Sequence, residues 1–331
     1  MRILITGVGG FIGFHVAKKL IKKNNVIVGV DNLNTYYDPR LKKKKIEILK
    51  NLSRKNKNKF IFYKVNICDN KKISHIFKKF KFQKVIHLAA QAGVRYSLKA
   101  PREYLKNNLD GFFNIIDNCR VFKTKRLIFA SSSSVYGEQN KGPFKESLST
   151  DNPIQFYAAT KKANEVMAHS YSTLYKIETV CLRFFTVYGP WGRPDMALFD
   201  FVKKIIEKKP INLFNNGKHS RDFTYIDDVV DGIKKCLVFK FLKKDKKKFI
   251  IFNIGYGKSV KLITFVKTIE QFLRTKAKLN FLPLQKGDII KTYSNISRTK
   301  KYLKYNPKTQ ISVGINKFVK WYLTYYKIKL K

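Results

Sequence analysis

The first thirteen residues restrict the fold more than any other stretch. An apolar run, Ile3-Leu4-Ile5, passes through Thr6 into glycines at positions 7, 10 and 13, and a helix pattern opens on Phe11. A strand that enters a helix through glycines brings bare backbone N–H groups up to an anion at the helix N-terminus. The spacing is G-x-x-G-x-x-G, not the G-x-G-x-x-G of the standard dinucleotide fingerprint. Glycines alone also suit a tight strand-to-helix turn with no ligand. Asp31 favours the ligand. It ends the next apolar run, eighteen residues (31 − 13) after Gly13. A carboxylate there accepts from adenosine ribose hydroxyls and repels a 2′-phosphate. NAD, not NADP, is the expected cofactor, with Gly7, Gly10, Gly13 and Asp31 in its site.

The rhythm that follows is one of short apolar runs alternating with amphipathic stretches. Strands are expected at 3–6, 26–30, 60–65, 84–88 and 126–130, and helices at 11–23, 39–53, 71–80 and 101–122. A helix over 154–175 and a strand over 178–183 continue the pattern. The reading is an α/β fold: a Rossmann-like, doubly wound parallel sheet with helices on both faces. After Thr186 the rhythm breaks at a Gly/Pro-rich turn, 189–194. Helices are expected at 196–208, 226–237, 262–273 and 311–325, and strands at 211–214 and 249–254. The expected organisation is a NAD-binding part over 1–185, carrying the catalytic side chains, and a smaller C-terminal part over 186–331 that mainly binds substrate.

Bulk properties exclude several classes. No apolar run among the 331 residues reaches the roughly 18 needed to span a bilayer, so no membrane partner is expected. The N-terminus enters a strand without a signal-peptide pattern. Cys68, Cys119, Cys181 and Cys236 have neither metal-ligand nor redox-pair spacing. A cytoplasmic protein with reduced thiols and no metal is expected. The formal net charge of +47 is unusual. Lysine supplies most of it along the whole chain, with clusters at 42–45, 55–59 and 243–248, and 240–248 reads as a charged surface loop. A dedicated nucleic-acid surface would be Arg-bearing and confined to one face. The charge is therefore read as compositional bias, with no nucleic-acid partner; a basic nucleic-acid-binding protein on a Rossmann scaffold is the non-enzyme alternative.

Tyr157 and Lys161 lie four apart on a helix pattern, and Ser132 precedes Tyr157 by twenty-five residues (157 − 132) at the end of a strand pattern. A phenol of pKa near 10 is a poor base at neutral pH. An ammonium about 4 Å away would stabilise the phenolate by roughly 4 kcal/mol at an effective dielectric of about 20. Tyr157 would then take a proton from a sugar hydroxyl while the carbon gives hydride to the cofactor. Ser132 would hydrogen-bond the same oxygen. Each residue alone reads as ordinary surface. Together, behind a dinucleotide site, they read as catalytic.

These motifs resemble the extended short-chain dehydrogenase/reductases that act on nucleotide sugars, and within them most the UDP-glucuronate 4-epimerases. The resemblance covers nearly the whole chain and is most specific at 29–34, 87–95, 157–165, 183–190 and 223–228. It implies NAD, a UDP-sugar substrate and a homodimer formed through two helices of the Rossmann part. It adds Phe11, Ile12, Asn32, Ile67, Leu88, Ala89, Ala90 and Asn108 to the cofactor site, Asn108 either touching the cofactor or ordering the catalytic loop. Tyr157 and Lys161 serve cofactor and catalysis together.

For the substrate, the resemblance implies Arg95, Ser132, Ser133, Ser134, Thr186, Arg193, Arg221 and Asp288. Arg221 takes the diphosphate, which a lone arginine beside aromatics also suits; an ion pair with Asp222 or Asp228 is its structural alternative. Asp288 lies near the uridine ribose. Related dehydratases carry an acid pair at the positions of Ser133 and Ser134, and related UDP-glucuronate decarboxylases carry a glutamate at that of Ser134. Serine at both removes an acid–base group for elimination or decarboxylation. Oxidising C4 of a glucuronate makes a β-keto acid, which loses CO2 when the carboxylate bond aligns with the carbonyl π system. Ser133, Ser134 and Thr186 are expected to hold the carboxylate out of that alignment, with Arg193 adding positive charge. The expected activity is NAD-dependent 4-epimerisation of UDP-glucuronate to UDP-galacturonate. A UDP-glucose or UDP-N-acetylglucosamine 4-epimerase and a UDP-glucuronate decarboxylase are the alternatives.

Overall fold

Seven parallel strands make the central sheet of the computed structural model, which describes residues 1–21, 25–57, 59–138, 142–242, 247–285 and 287–330. They are β1 (Arg2–Thr6), β2 (Val26–Asp31), β3 (Lys59–Lys64), β4 (Lys84–His87), β5 (Arg126–Ser132), β6 (Glu178–Phe184) and a last strand, Phe249–Ile254. From one edge the order is Phe249–Ile254, β6, β5, β4, β1, β2, β3. Side chains alternate across a strand, so each strand feeds two cores. In β1, Ile3 and Ile5 enter one core and Leu4 the other. The first core is completed by α1 (Phe11–Leu20), α2 (Pro39–Lys55) and the helix Ile226–Val238. The second is completed by α3 (Asn70–Phe80) and the helices Gly111–Val121 and Phe156–Tyr175. The doubly wound parallel sheet is the expected α/β architecture.

Three departures have physical causes. The expected boundary at 185/186 runs through the sheet, because Phe249–Ile254 pairs in parallel with β6 from Phe249 opposite Thr179 to Ile254 opposite Phe184. Its apolar, β-branched run is better buried as a seventh strand than left in a separate part. The helix expected over 101–122 is broken into Pro101–Tyr104, a π-helical turn at Leu105–Asp110, and Gly111–Val121. Periodicity does not register one inserted residue; the widened turn buries Asn107 and Asn108. Lys42 and Lys45, in a cluster read as compositional bias, are buried on α2. Position 58 of the 55–59 cluster, 243–246 of the charged loop, and 22–23 at the expected end of the first helix lie outside the described residues.

Short ladders carry the rest of the chain. Thr186–Tyr188 pairs with Phe223–Tyr225, Ile211–Phe214 with Leu279–Leu282, and Ser220–Arg221 with Val260–Lys261. Asp222 ties them together. It is fully buried and accepts from Tyr256 N (2.7 Å), Gly257 N (2.9 Å), Ser294 N (3.1 Å) and Ser294 Oγ (2.6 Å). A buried carboxylate so thoroughly bonded holds its neighbour Arg221 in place.

Candidate active site

The strand order reverses between β1 and β4, and open α/β sheets bind ligands at such a switch point. A cleft of about 980 Å3 lies there, lined from both halves of the chain. One end is almost all backbone. Gly7 has φ +71°, and a Cβ on it would stand 2.7 Å from Ala89 N. A Cβ on Gly13 would stand 2.1 Å from Gly7 O. Gly10 caps α1 without a side-chain bond, leaving first-turn N–H groups for an anion. Asp31 accepts from Gly9 N at 3.0 Å and Leu33 N at 2.8 Å. Burial pushes its carboxyl up, and these bonds, with Lys42 nearby, work against that.

Gly7, Gly10, Phe11, Ile12, Gly13, Asp31, Asn32, Ile67, Leu88, Ala89 and Ala90 all line this end. A cradle that admits no Cβ, ending at a buried carboxylate, fits a dinucleotide. Asn108 is different: it stands behind the wall. Its Oδ1 accepts from Gln91 N at 2.8 Å, and its Nδ2 donates to Gln91 O at 3.0 Å and Thr160 Oγ1 at 3.1 Å. It ties the 89–92 loop to the helix Phe156–Tyr175, an arrangement that suits the second of its two expected roles. Lys42, not singled out from sequence, also lines the cleft and donates to Asn34 O at 2.8 Å. It was hidden in a run of four lysines.

Ser132 ends β5, and Tyr157 and Lys161 sit one turn apart on Phe156–Tyr175; all three line the middle of the cleft. Burial pushes the Tyr157 phenol up, while the positive charge of Arg193 and a hydrogen bond with Ser132 pull it down. Lys161 is turned elsewhere. Its Nζ donates to Ala130 O at 3.0 Å. Arg193, which the sequence set among the substrate residues, thus adds a positive charge that bears on Tyr157. Burial brings the Lys161 pKa down to about 8, with Cys181 and Glu165 opposing. Below the site, Glu165 accepts from Ser131 Oγ (2.6 Å) and from Arg183 Nε (2.9 Å) and Nη2 (2.7 Å). This buried pair joins the catalytic helix to the ends of β5 and β6. Its cue in sequence was Glu165 one turn beyond Lys161.

The far end is built of side chains. Ser133, Ser134, Thr186, Arg193, Arg221, Arg95 and Asp288 all line it. The hydroxyls of Ser132 and Ser134 share a hydrogen bond of 2.9 Å. Arg221 Nη1 donates to Ser220 O and Ile290 O, both at 3.0 Å. Burial brings its pKa down to about 10, so it remains a cation at neutral pH. The alternative of an ion pair does not hold: Asp222 is bonded as above, and Asp228 accepts from Lys308 N and Thr309 N. Arg95 Nη2 meets Asp288 Oδ2 at 3.0 Å and its guanidinium lies 4.5 Å from the Phe214 ring centre. Arg193 is paired with Asp195, a partner the sequence placed two residues on in the same turn.

Known proteins resemble this chain in sequence and fold. The model of the NAD dependent epimerase/dehydratase family matches residues 3–255. A probable UDP-glucuronate 4-epimerase of Rhizobium meliloti is 41% identical, over 97% of each chain. UDP-glucuronate 4-epimerase 4 of Arabidopsis thaliana is 41% identical, over 98% of this chain and 76% of its own. The crystal structure of a UDP-glucuronic acid 4-epimerase from Bacillus cereus, in complex with UDP-glucuronic acid and NAD, superposes with a TM-score of 0.90 at 33% identity, covering 98% of this chain and 100% of that one. On this match of sequence and fold, the chain belongs to the NAD dependent epimerase/dehydratase family.

Proposed function

We propose that the chain interconverts UDP-glucuronate and UDP-galacturonate by NAD-dependent epimerisation at C4 of the sugar. The observation that carries this is the far end of the cleft. There the hydroxyls of Ser132, Ser133, Ser134 and Thr186 stand with Arg193 on the wall that holds Tyr157, a set suited to a sugar carboxylate.

When bound, NAD would supply the hydride acceptor for oxidation at C4 and the hydride donor for its return to the other face. Gly7, Gly10, Gly13 and Asp31 hold its pyrophosphate and adenosine ribose, and Lys161 its nicotinamide ribose. Tyr157 removes the proton from O4 and gives it back on the return. Ser132 fixes O4 and, through the hydroxyl it shares with Ser134, extends toward the carboxylate. Arg193 favours the phenolate. Arg221 grips the diphosphate while the 4-keto sugar turns about its phosphate linkage, and Arg95 and Asp288 hold the uridine side. Ser133, Ser134, Thr186 and Arg193 keep the carboxylate out of line with the C4 carbonyl. Cofactor binding is assigned mainly to 1–185 and substrate binding mainly to 186–331, with Arg95 and the serines crossing that division.

A homodimer is part of the reading. Phe113 (47% exposed) on Gly111–Val121 and Val166 (57%) and Leu174 (65%) on Phe156–Tyr175 offer apolar surface on adjacent helices, where Phe113 meets Tyr171 with ring centres 6.3 Å apart. Light scattering checks it. A cytoplasmic location is proposed from the free cysteines, of which Cys119, Cys181 and Cys236 are buried. Among the described residues no helix is long and apolar enough to cross a membrane.

The deciding experiment incubates the purified protein with UDP-glucuronate and follows products by NMR. A mixture with UDP-galacturonate is expected. UDP-xylose as the product, or turnover of UDP-glucose or UDP-N-acetylglucosamine but not UDP-glucuronate, overturns the assignment.

A further inference from the structure

Arg193, which the scheme above uses, is held in a charge clamp by two side chains to which that scheme gives no part, Asp195 and Tyr36. Arg193 Nε donates to Asp195 Oδ1 at 2.9 Å, and Nη2 donates to Oδ2. The Tyr36 hydroxyl donates to the same Oδ2 at 3.1 Å. Arg193 and Asp195 share the Gly/Pro-rich turn, while Tyr36 arrives from the segment after β2, 159 residues away. All three line the cleft.

The clamp is packed against the wall that carries the catalytic phenol. Gly93 has φ +110°, and a Cβ there would stand 2.8 Å from the Tyr36 hydroxyl and 3.6 Å from Arg193 Nη2. The Tyr104 hydroxyl, next in that wall, donates to Ala92 O at 3.2 Å, and its ring meets Tyr157 edge-on with centres 6.0 Å apart. Burial alone works against the Arg193 charge, and Asp195 more than offsets it.

An arginine side chain has many rotamers, and a two-point carboxylate bond sets both its reach and the plane of its guanidinium. A carboxylate that must be kept off one angle needs a partner whose own angle is set. We propose that Asp195, held by Tyr36, is the positioning residue that aims Arg193 at the hexuronate carboxylate and thereby decides whether the 4-keto intermediate is epimerised or decarboxylated. This rests on the functional reading above. The competing step is a heterolysis. The C5–C6 bond pair moves into the C4 carbonyl to give an enolate, CO2 leaves, and C5 then takes a proton. It is fast only when C5–C6 lies parallel to the carbonyl π orbitals. Arg193 aimed by Asp195 holds the carboxylate away from that angle; Arg193 released does not.

The test compares wild type, Asp195→Asn, Tyr36→Phe, Arg193→Gln and the double variant Asp195→Asn/Arg193→Gln on UDP-glucuronate. NMR reads the ratio of decarboxylated to epimerised product, and melting temperature and retained NAD report folding. Asp195→Asn should raise the decarboxylated share by about tenfold. Tyr36→Phe should move it the same way by less. In the Arg193→Gln background, Asp195→Asn should add nothing, because residues acting through one another are not additive. A slower enzyme with an unchanged ratio in both single variants makes the clamp merely structural and overturns the proposal. So does a lower KM for UDP-glucuronate with no extra CO2, which would make Asp195 only a competitor of the substrate. If Asp195→Asn does not fold, Tyr36→Phe, which deletes one hydroxyl, decides. Wild type that makes no UDP-galacturonate brings down the functional reading, and this inference with it, before any variant is made.

Discussion

The two ends of the cleft are built on different plans. At the cofactor end the chain presents backbone: Gly7, Gly10 and Gly13 on one strand-to-helix turn, with Asp31 accepting from Gly9 N at the next strand. At the sugar end it presents side chains brought from afar, such as Arg95 with Asp288 and Tyr36 with Asp195. A backbone cradle tolerates almost no added atom, because nothing in it can rotate away. A side-chain site tolerates substitution but loses aim, because each member is held by one or two hydrogen bonds. The two ends should therefore fail differently when altered.

The largest effect is expected between them. Tyr157→Phe keeps the ring that packs on Tyr104 and removes only the proton carrier, so kcat should fall about a thousandfold while NAD stays bound. Steady-state rates, together with absorbance of the nucleotide freed by denaturation, check both halves; near-normal activity would remove Tyr157 from the mechanism. Next, Gly7→Ala should cost the protein its NAD and more than about 1 kcal/mol of stability, because φ +71° and a backbone atom at 2.7 Å leave the methyl no place. A variant isolated with full NAD and an unchanged melting temperature would break the contrast between the two ends.

Arg221→Gln should leave NAD binding and melting temperature near normal and raise KM for the UDP-sugar by about tenfold or more, the loss expected for a charge-assisted phosphate bond. An equal fall in NAD content would show that the ends are not independent. The smallest effect concerns Lys45, which is fully buried, has an Nζ with no hydrogen-bond partner among the described residues, and is brought down by burial to a pKa of about 7. Its folded pKa lies below its unfolded value near 10.4, so the unfolded chain binds more protons between about pH 7 and 10 and stability rises with pH there. Lys45→Met should remove that slope and so stabilise the protein clearly more at pH 6 than at pH 10. Urea unfolding at the two pH values measures it, and equal gains at both would refute the assignment.

The contrast also explains what could be read from sequence. The glycines and Asp31 were legible because their partners are near in the chain and the strand-to-helix geometry is local. Tyr157 and Lys161 were legible because one helical turn separates them. The pull of Arg193 on Tyr157 was not, since the two lie thirty-six residues apart (193 − 157) and only folding brings that charge to bear on the phenol. Sequence left Asn108 between two roles, and its bonds to Gln91 and Thr160 from a π-helical turn favour the one behind the wall, which the regular periodicity of the helix does not show. The pairing of Phe249–Ile254 with β6 was invisible for a related reason: an apolar run states that it is buried, not which edge it joins.

By itself, the order of residues determined the alternation of strand and helix, the place of the bare-backbone turn and the identity of the hydroxyl, phenol and ammonium behind it. These depend on local stereochemistry and spacing, which a chain carries wherever it lies. Tertiary structure alone decided which further charge bears on the phenol, which carboxylate holds Arg95 and where the sheet ends. Those outcomes depend on distances between segments that the chain keeps apart, 193 residues for Arg95 and Asp288, and such distances exist only once both cores have closed.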